Sequence, residues 1–359
     1  MTYRKKNTGA RRIILRLFLV VIETILLLAA GTYAMAYCIY NGPSETFRNL
    51  LVRSLNETSA AGFVNELFLS PEELNTIINP VTAEEIIETD TGLVTITVKH
   101  EEADNGENEV PIATDAWGLS DEDGDGLILC PIKGEGYTGY MLVVLDPSRV
   151  ILGAVPSDFE IQGYTVEQMV KYYDAVAGIN AGGFYDPDGN GDGSIPDSLI
   201  VFNGSAYYGS LGSGVGFAGF DGDHVLHVSS KMTEGEAAAA GIKYGVCFGP
   251  VLIANGKPVD PDVIISGLNP RTAIGQRSDG AVLMLVIDGR QALSIGASLT
   301  DLQSIMLKYG AVNACNLDGG SSSMMWYKGE YINNCASVIG IRPVPTAFLV
   351  LKEGAKLFG

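Results

Sequence analysis

Apolar positions are distributed in two different ways along this chain. Residues 17–40 form an almost unbroken apolar run, interrupted by Glu23 alone. An α-helix needs roughly 20 residues to cross a bilayer, so the run predicts one membrane-spanning helix. From about residue 117 the apolar positions fall instead into short runs separated by glycines, at 141–145, 198–202, 246–254, 263–268, 281–287 and 345–351. Short runs bounded by turn residues predict strands, and the alternation over 91–100 predicts one more. Two segments carry helical spacing. Thr165 and Gln168 form a capping box ahead of Val166, Met169, Val170 and Tyr173, with Gly178 as the stop. Thr300 and Gln303 do the same ahead of Leu302, Ile305, Met306 and Tyr309, with Gly310 as the stop. A further helix start lies at Ser70-Pro71-Glu72-Glu73, with serine as cap and proline at the first position. Each of the two main helices leads through an apolar run to an asparagine near a Gly-Gly pair, Asn180 with Gly182-Gly183 and Asn316 with Gly319-Gly320. The pattern predicts an α+β fold: a single mixed-sheet domain with few helices, preceded by an N-terminal transmembrane helix.

Charge refines this division. Residues 1–16 hold six basic side chains and no acid. A basic flank before an apolar span stays on the cytoplasmic side, and the chain beyond the span is exported. The expected organisation is a cytoplasmic basic segment at 1–16, a signal anchor at 17–40, a stalk or accessory region at 41–116 and a main domain at 117–359. A cleaved signal peptide with Ala34-Met35-Ala36 as its site is the competing reading, disfavoured by the length of the span. Taking those six basic residues and Glu23 from totals of 23 and 42 leaves 17 basic and 41 acidic side chains, a net charge of −24 over residues 41–359. Such a surface excludes general nucleic-acid binding. Four of the five cysteines, Cys130, Cys247, Cys315 and Cys335, fall in the exported part. They are too few for a disulfide scaffold, and both pairing and buried free thiols stay open.

Three polar stretches can carry chemistry. In Asn316-Leu317-Asp318-Gly319-Gly320-Ser321-Ser322-Ser323, a carboxylate at a strand end precedes a loop rich in N–H and O–H donors. That combination suits a sugar or phosphate oxygen. Arg271 and Arg290, one before and one after the apolar run 281–287, offer planar forks that match phosphate, and Arg342 is a third candidate. The acidic stretch Asp186, Asp188, Asn190, Asp192 fits the first half of a calcium loop but lacks the glutamate at the twelfth position. Asp121, Asp123 and Asp125 repeat the pattern less completely. His224 and His227 alternate across a strand-like run, which is unsuited to one zinc ion. The chain has no Cys-x-x-Cys pair, phosphate-binding P-loop or nucleophile elbow. Asn56-Glu57-Thr58 matches a glycosylation sequon at chance level.

In order along the chain, INAGGFYDPDG, NPRTAIG, VIDGR and NLDGGSSS resemble the phosphodiester glycosidase family, over roughly residues 140–351. Two positions depart from the family pattern: Ala181 follows Asn180 where glycine is usual, and Ser321 replaces the third glycine after NLDGG. The resemblance implies a hydrolase that removes an N-acetylglucosamine-type sugar from a phosphodiester, and bacterial relatives are associated with exopolysaccharide. On this reading Asp318 and Asp288 are the catalytic carboxylates. Arg271 and Arg290 hold the phosphate. Asn180, Gly182, Gly183, Asn316, Gly319, Gly320, Ser321, Ser322 and Arg342 bind substrate, and Asp186, Asp188, Asn190 and Asp192 are the candidate ligands for Ca2+. The expected partners are a carbohydrate phosphodiester and the membrane. Two alternatives use the same residues: a calcium-dependent carbohydrate or wall-polymer binding module, and a phosphodiesterase that releases sugar-1-phosphate.

Overall fold

The computed structural model describes residues 7–58, 61–79, 87–96, 114–155, 162–186, 191–209, 216–262, 264–337 and 340–355. They form two compact units, one of residues up to Asn56 together with those between 60 and 80, the other of Glu57, Thr58 and the chain from 81 onward.

The smaller unit is helical: α1 (Asn7–Tyr40), α2 (Glu45–Asn56), α3 (Phe63–Glu66) and α4 (Pro71–Ile78). Within α1, residues 11–40 are long and apolar enough to cross a membrane, with a mean hydropathy of 2.6. The C-terminal end of α1 packs into a small core in which Tyr40, Val52 and Ile77 are buried. The Tyr40 hydroxyl donates to Asn65 Oδ1, and Asn65 Nδ2 donates to the Val52 carbonyl at 2.9 Å. Helix α4 starts where the sequence predicts. Ser70 and Glu73 cap it reciprocally and Pro71 opens it.

The larger unit is α+β, and every strand pairing among its described residues is antiparallel. Its first sheet has seven strands in the order β1 (Leu127–Gly134), β2 (Tyr137–Val144), β13 (Val282–Ile287), β12 (Arg271–Arg277), β14 (Ala311–Leu317), β10 (Val251–Ala254) and β11 (Lys257–Pro258). The second has five, β16 (Glu330–Tyr331), β15 (Met325–Tyr327), β4 (Ala175–Asn180), β17 (Thr346–Leu351) and β3 (Val150–Ala154). The third also has five, β6 (Ser205–Tyr208), β5 (Ile200–Phe202), β9 (Ile242–Cys247), β7 (Phe217–Asp221) and β8 (Leu226–Ser229).

Strands β12, β13 and β17 are buried at every position; β13 and β17 therefore read as continuous apolar runs rather than alternating ones, whereas β12 buries Arg271, Thr272, Gln276 and Arg277 as well. Helix α5 (Val166–Tyr172) lies on the second sheet, α6 (Glu234–Ala239) on β9, and α7 (Leu299–Lys308) on β10, β12 and β14. Phe220 and Phe348 meet edge-on at 6.0 Å between the third and second sheets. The Gln276 amide ties the third sheet to the first by accepting from the Leu226 N–H at 2.7 Å.

Several boundaries differ from the sequence reading. Helix α5 keeps its Thr165–Gln168 box but ends at Tyr172, and Gly178 lies inside β4. Helix α7 is capped two residues earlier than expected, by Ser298 with Asp301, and stops at Gly310, whose φ of +83° favours glycine. The apolar run 246–254 is two strands, divided around Gly249-Pro250. Residues 264–268 form no strand, and Val263 lies outside the described residues. In place of a strand at 91–100, Thr91–Leu93 is a single 3-10 turn whose Gly92 N–H bonds the Asp90 carboxylate. Residues 97–100 and the linker 101–109 lie outside the described residues. Cys130, Cys247, Cys315 and Cys335 are unpaired; Cys247 and Cys315 are buried, which pushes Cys247 up to about 12.

Candidate active site

The two Gly-rich loops leave the ends of β4 and β14, strands of different sheets, and are locked together. The Asp318 N–H donates to the Ala181 carbonyl at 2.9 Å. Asn180, fully buried, donates through Nδ2 to the Asp318 carbonyl at 2.5 Å. Its Oδ1 accepts from Thr272 Oγ1 at 2.8 Å and from the Met324 N–H at 3.1 Å. The Gly182 N–H donates to Thr346 Oγ1 at 2.9 Å. Asn180 and Gly182 therefore brace the loops and do not line the cavity between them. Asn180→Ala strands Thr272 Oγ1, the Met324 N–H and the Asp318 carbonyl. It is expected to cost about 2–3 kcal/mol in denaturant unfolding and to lower turnover by displacing Asp318.

The cavity has a volume of about 470 Å³, within the usual range for small-molecule sites. Of the residues expected from sequence, Asp318, Arg271, Arg290, Arg342, Gly183, Asn316, Asp186 and the loop Gly319–Ser322 line it. Burial, reinforced by the nearby charge of Asp197, pushes the Asp318 carboxyl up to about 7, against the pull of the Ser322 hydroxyl, Arg342 and the Gly319 N–H. Asn316 Nδ2 donates to the Gly249 carbonyl at 2.7 Å, while its buried Oδ1 has no partner.

The three arginines differ in what holds them. Arg271 is buried and donates from Nη2 to Glu57 Oε2 at 2.6 Å and to the Gly267 carbonyl at 2.8 Å. Arg342 Nη2 pairs with Asp186 Oδ2 at 2.7 Å, and its guanidinium lies 5.3 Å from the centre of the Phe184 ring. Arg290, in the left-handed region at φ +56°, reaches Asn269 Oδ1 at 3.0 Å and, at 3.3 Å, both Ser321 Oγ and the Glu57 carbonyl. No ion pair of Arg290 occurs among the described residues. Burial and the neighbouring Arg271 lower its pKa.

Asp288, expected as the partner of Asp318, does not line the cavity. It is 4% exposed, and its Oδ1 accepts from Asn333 Nδ2 at 3.1 Å and the Asn334 N–H at 2.9 Å. Its strand-end position made it resemble Asp318, but its carboxylate holds the 333–334 turn. The second carboxylate of the cavity is Asp197, exposed to it. Its Oδ1 accepts from Ser198 Oγ at 2.7 Å, and its N–H bonds the Gly183 carbonyl at 3.3 Å. A side chain at position 183 would begin 2.6 Å from Asp197 Oδ2 and 2.9 Å from Phe248, so glycine is required there. Sequence reasoning missed Asp197, because its Ile-Pro-Asp-Ser context reads as a strand start. It also missed Asn269, which lay unused inside NPRTAIG, and Glu57, hidden in a chance sequon.

Of the candidate calcium ligands, the two described residues are engaged within the chain. Asp186 is taken by Arg342 and by the Gly191 N–H at 2.9 Å. The Asp192 carboxylate accepts from its own loop at Ser194, and Asp188 and Asn190 lie outside the described residues. Among the described residues, the group that could hold a metal ion is Asp121, Asp123 and Asp125, with carboxylate oxygens within 4.8 Å of one another. It already binds a cation of the chain itself: Lys328 Nζ lies 2.7 Å from Asp123 and 2.6 Å from Asp125. A metal would have to displace that ammonium.

Residues 173–351 match the family described as phosphodiester glycosidase. An uncharacterised SPbeta prophage-derived protein of Bacillus subtilis, YomE, is 31% identical over 204 residues, which span 54% of this chain but only 30% of the relative. Among solved structures, the fold matches the catalytic domain of zebrafish N-acetylglucosamine-1-phosphodiester alpha-N-acetylglucosaminidase, described as auto-inhibited by its pro-peptide. That match has a TM-score of 0.52 and 18% identity, and covers 63% of this chain and 82% of that one. The matched residues contain both Gly-rich loops, β12 and all three cavity arginines: residues 173–351 are a domain of the phosphodiester glycosidase family.

Proposed function

We propose that this chain is a membrane-anchored extracellular hydrolase. It cleaves the glycosidic bond of an N-acetylglucosamine-type sugar-1-phosphodiester, in cell-surface polysaccharide or wall-polymer metabolism. The family match supports a hydrolase of phosphodiester-linked sugars. The observation that carries the finer reading is the meeting, in one cavity, of a carboxyl group that burial pushes up to about 7 with an arginine, Arg290, that forms no ion pair among the described residues. The basic N-terminal flank of α1 supports an outward-facing larger unit.

Arg290 receives the phosphate charge. Protonated Asp318 donates to the bridging oxygen as the bond from that oxygen to the anomeric carbon breaks. The Asp197 carboxylate takes a proton from the water whose oxygen bonds to the anomeric carbon. The products are free sugar and a phosphomonoester, and solvent returns the proton from Asp197 to Asp318. Asn316 Oδ1 accepts a sugar hydroxyl, which removes the cost of leaving a buried acceptor unpaired. Asp197 takes the partner role because Asp288 lies outside the cavity lining.

The test is incubation of the full-length protein, in detergent, with the methyl phosphodiester of N-acetylglucosamine-1-phosphate. Mass spectrometry reads the products. Free sugar with methyl phosphate is the expected outcome. Sugar-1-phosphate would mean a phosphodiesterase, and binding without turnover would mean a binding module.

A further inference from the structure

Seven charged side chains line the cavity, and most of them cancel in pairs. The cations are Arg271, Arg290 and Arg342; the carboxylates are Glu57, Asp186, Asp197 and Asp318. Arg342 is matched by Asp186. Arg271 is matched by Glu57, and that match is more than one contact. Glu57 Oε2 accepts from Arg271 Nη2 at 2.6 Å and from Asn269 Nδ2 at 2.9 Å, and Oε1 accepts from the Gly267 N–H at 2.7 Å. A guanidinium, an amide and a backbone N–H thus converge on one carboxylate, as they would on a phosphate. Arg290, which among the described residues reaches the Glu57 backbone carbonyl but no carboxylate, is left to meet an incoming charge.

We infer that Glu57 sets the charge this cavity accepts. By filling the Arg271–Asn269–Gly267 site, it takes away the second cation that a dianion would need beside Arg290, so the cavity takes a phosphodiester monoanion and rejects a phosphomonoester dianion. The inference rests on the hydrolase reading for its biological sense. It gives that reading a consequence: the diester enters, the bond breaks, and the monoester product, which gains a second charge above about pH 6, is expelled by Glu57 and Asp197. Like charges in contact near a protein surface repel strongly enough to give selection of about tenfold or more.

The experiment measures binding to the full-length protein at about pH 8 by calorimetry. The ligands are the methyl diester of N-acetylglucosamine-1-phosphate, N-acetylglucosamine-1-phosphate itself, and inorganic phosphate. The wild type is expected to prefer the diester to the monoester by at least about tenfold. Glu57→Gln is expected to tighten both dianions by about tenfold or more, and so to erase the preference. Glu57→Gln combined with Arg271→Gln restores the charge count, and the double variant is expected to reject the dianions again. The inference is overturned if Glu57→Gln leaves phosphate binding unchanged, if it weakens all ligands alike, or if the double variant behaves like Glu57→Gln. These outcomes are separate from catalysis. Tighter phosphate binding by Glu57→Gln, with no diester hydrolysed by the wild type, would retain the charge rule and remove the hydrolase.

Discussion

Asp318→Asn is expected to lower kcat about a thousandfold while making the protein more stable above pH 7. Both effects come from one feature. The carboxyl is held in a buried place where its charged form is disfavoured, so it stays protonated up to about 7. A folded-state pKa raised above the unfolded value contributes stability below the unfolded pKa, and that contribution is lost as pH rises through the folded one. Above about 7 the wild type therefore carries, in surroundings that disfavour it, a carboxylate charge that the asparagine variant does not. Asparagine keeps an oxygen to accept from Ser322 and the Gly319 N–H, but has no acidic proton to give. Thermal melts at pH 6 and pH 8, beside turnover of the methyl diester, check both halves. Retained turnover would remove Asp318 as the acid. A fall in melting temperature at pH 8 would mean that the site is not strained as described. Asp288→Asn is the control: its Oδ1 still accepts from Asn333 and the Asn334 N–H, so turnover stays near wild type.

The two carboxylates differ in how legible they were, and the reason is physical. Asp318 sits at the end of β14, just before Gly319-Gly320, and the local pattern of apolar run, acid and glycines marks a strand-end loop. Asp288 has the same local pattern, because Asp288-Gly289 also ends an apolar strand. What separates them is where the strand ends point, and that is decided by pairing across sheets, in which Asn180 of β4 grips the loop after β14. Asp197 and Glu57 have no local signal at all. Their roles come from contacts with residues far away in sequence, Glu57 with Arg271 and Asn269, and Asp197 with Gly183 and the electrostatics of Asp318. Strands β13 and β17 were legible because they are fully buried and so almost wholly apolar; β12 was not, because its buried positions include Arg271, Thr272, Gln276 and Arg277. The break at 249–250 was not, because apolar residues flank it on both sides. Helix α6, with three alanines and two glutamates, carries too little apolar spacing to announce itself.

Asp197→Asn is expected to abolish most turnover and, in the activity that remains, to shift its pH dependence downward. In the wild type, kcat/KM should fall at high pH, as Asp318 loses its proton near 7. The charge on Asp197 is one of the two causes that raise Asp318, so removing it makes the Asp318 proton easier to lose. The high-pH limb therefore moves to lower pH. Arg342 acts in the opposite direction: its charge favours ionised Asp318, and Arg342→Gln should move the same limb to higher pH. Two substitutions at different places in the cavity, one removing a negative and one a positive charge, thus displace one limb in opposite senses. A purely structural role for either residue would lower the height of the profile without moving the limb. A limb that stayed fixed in both variants would mean that the titrating group is not Asp318, and the acid of the reaction would have to be sought elsewhere.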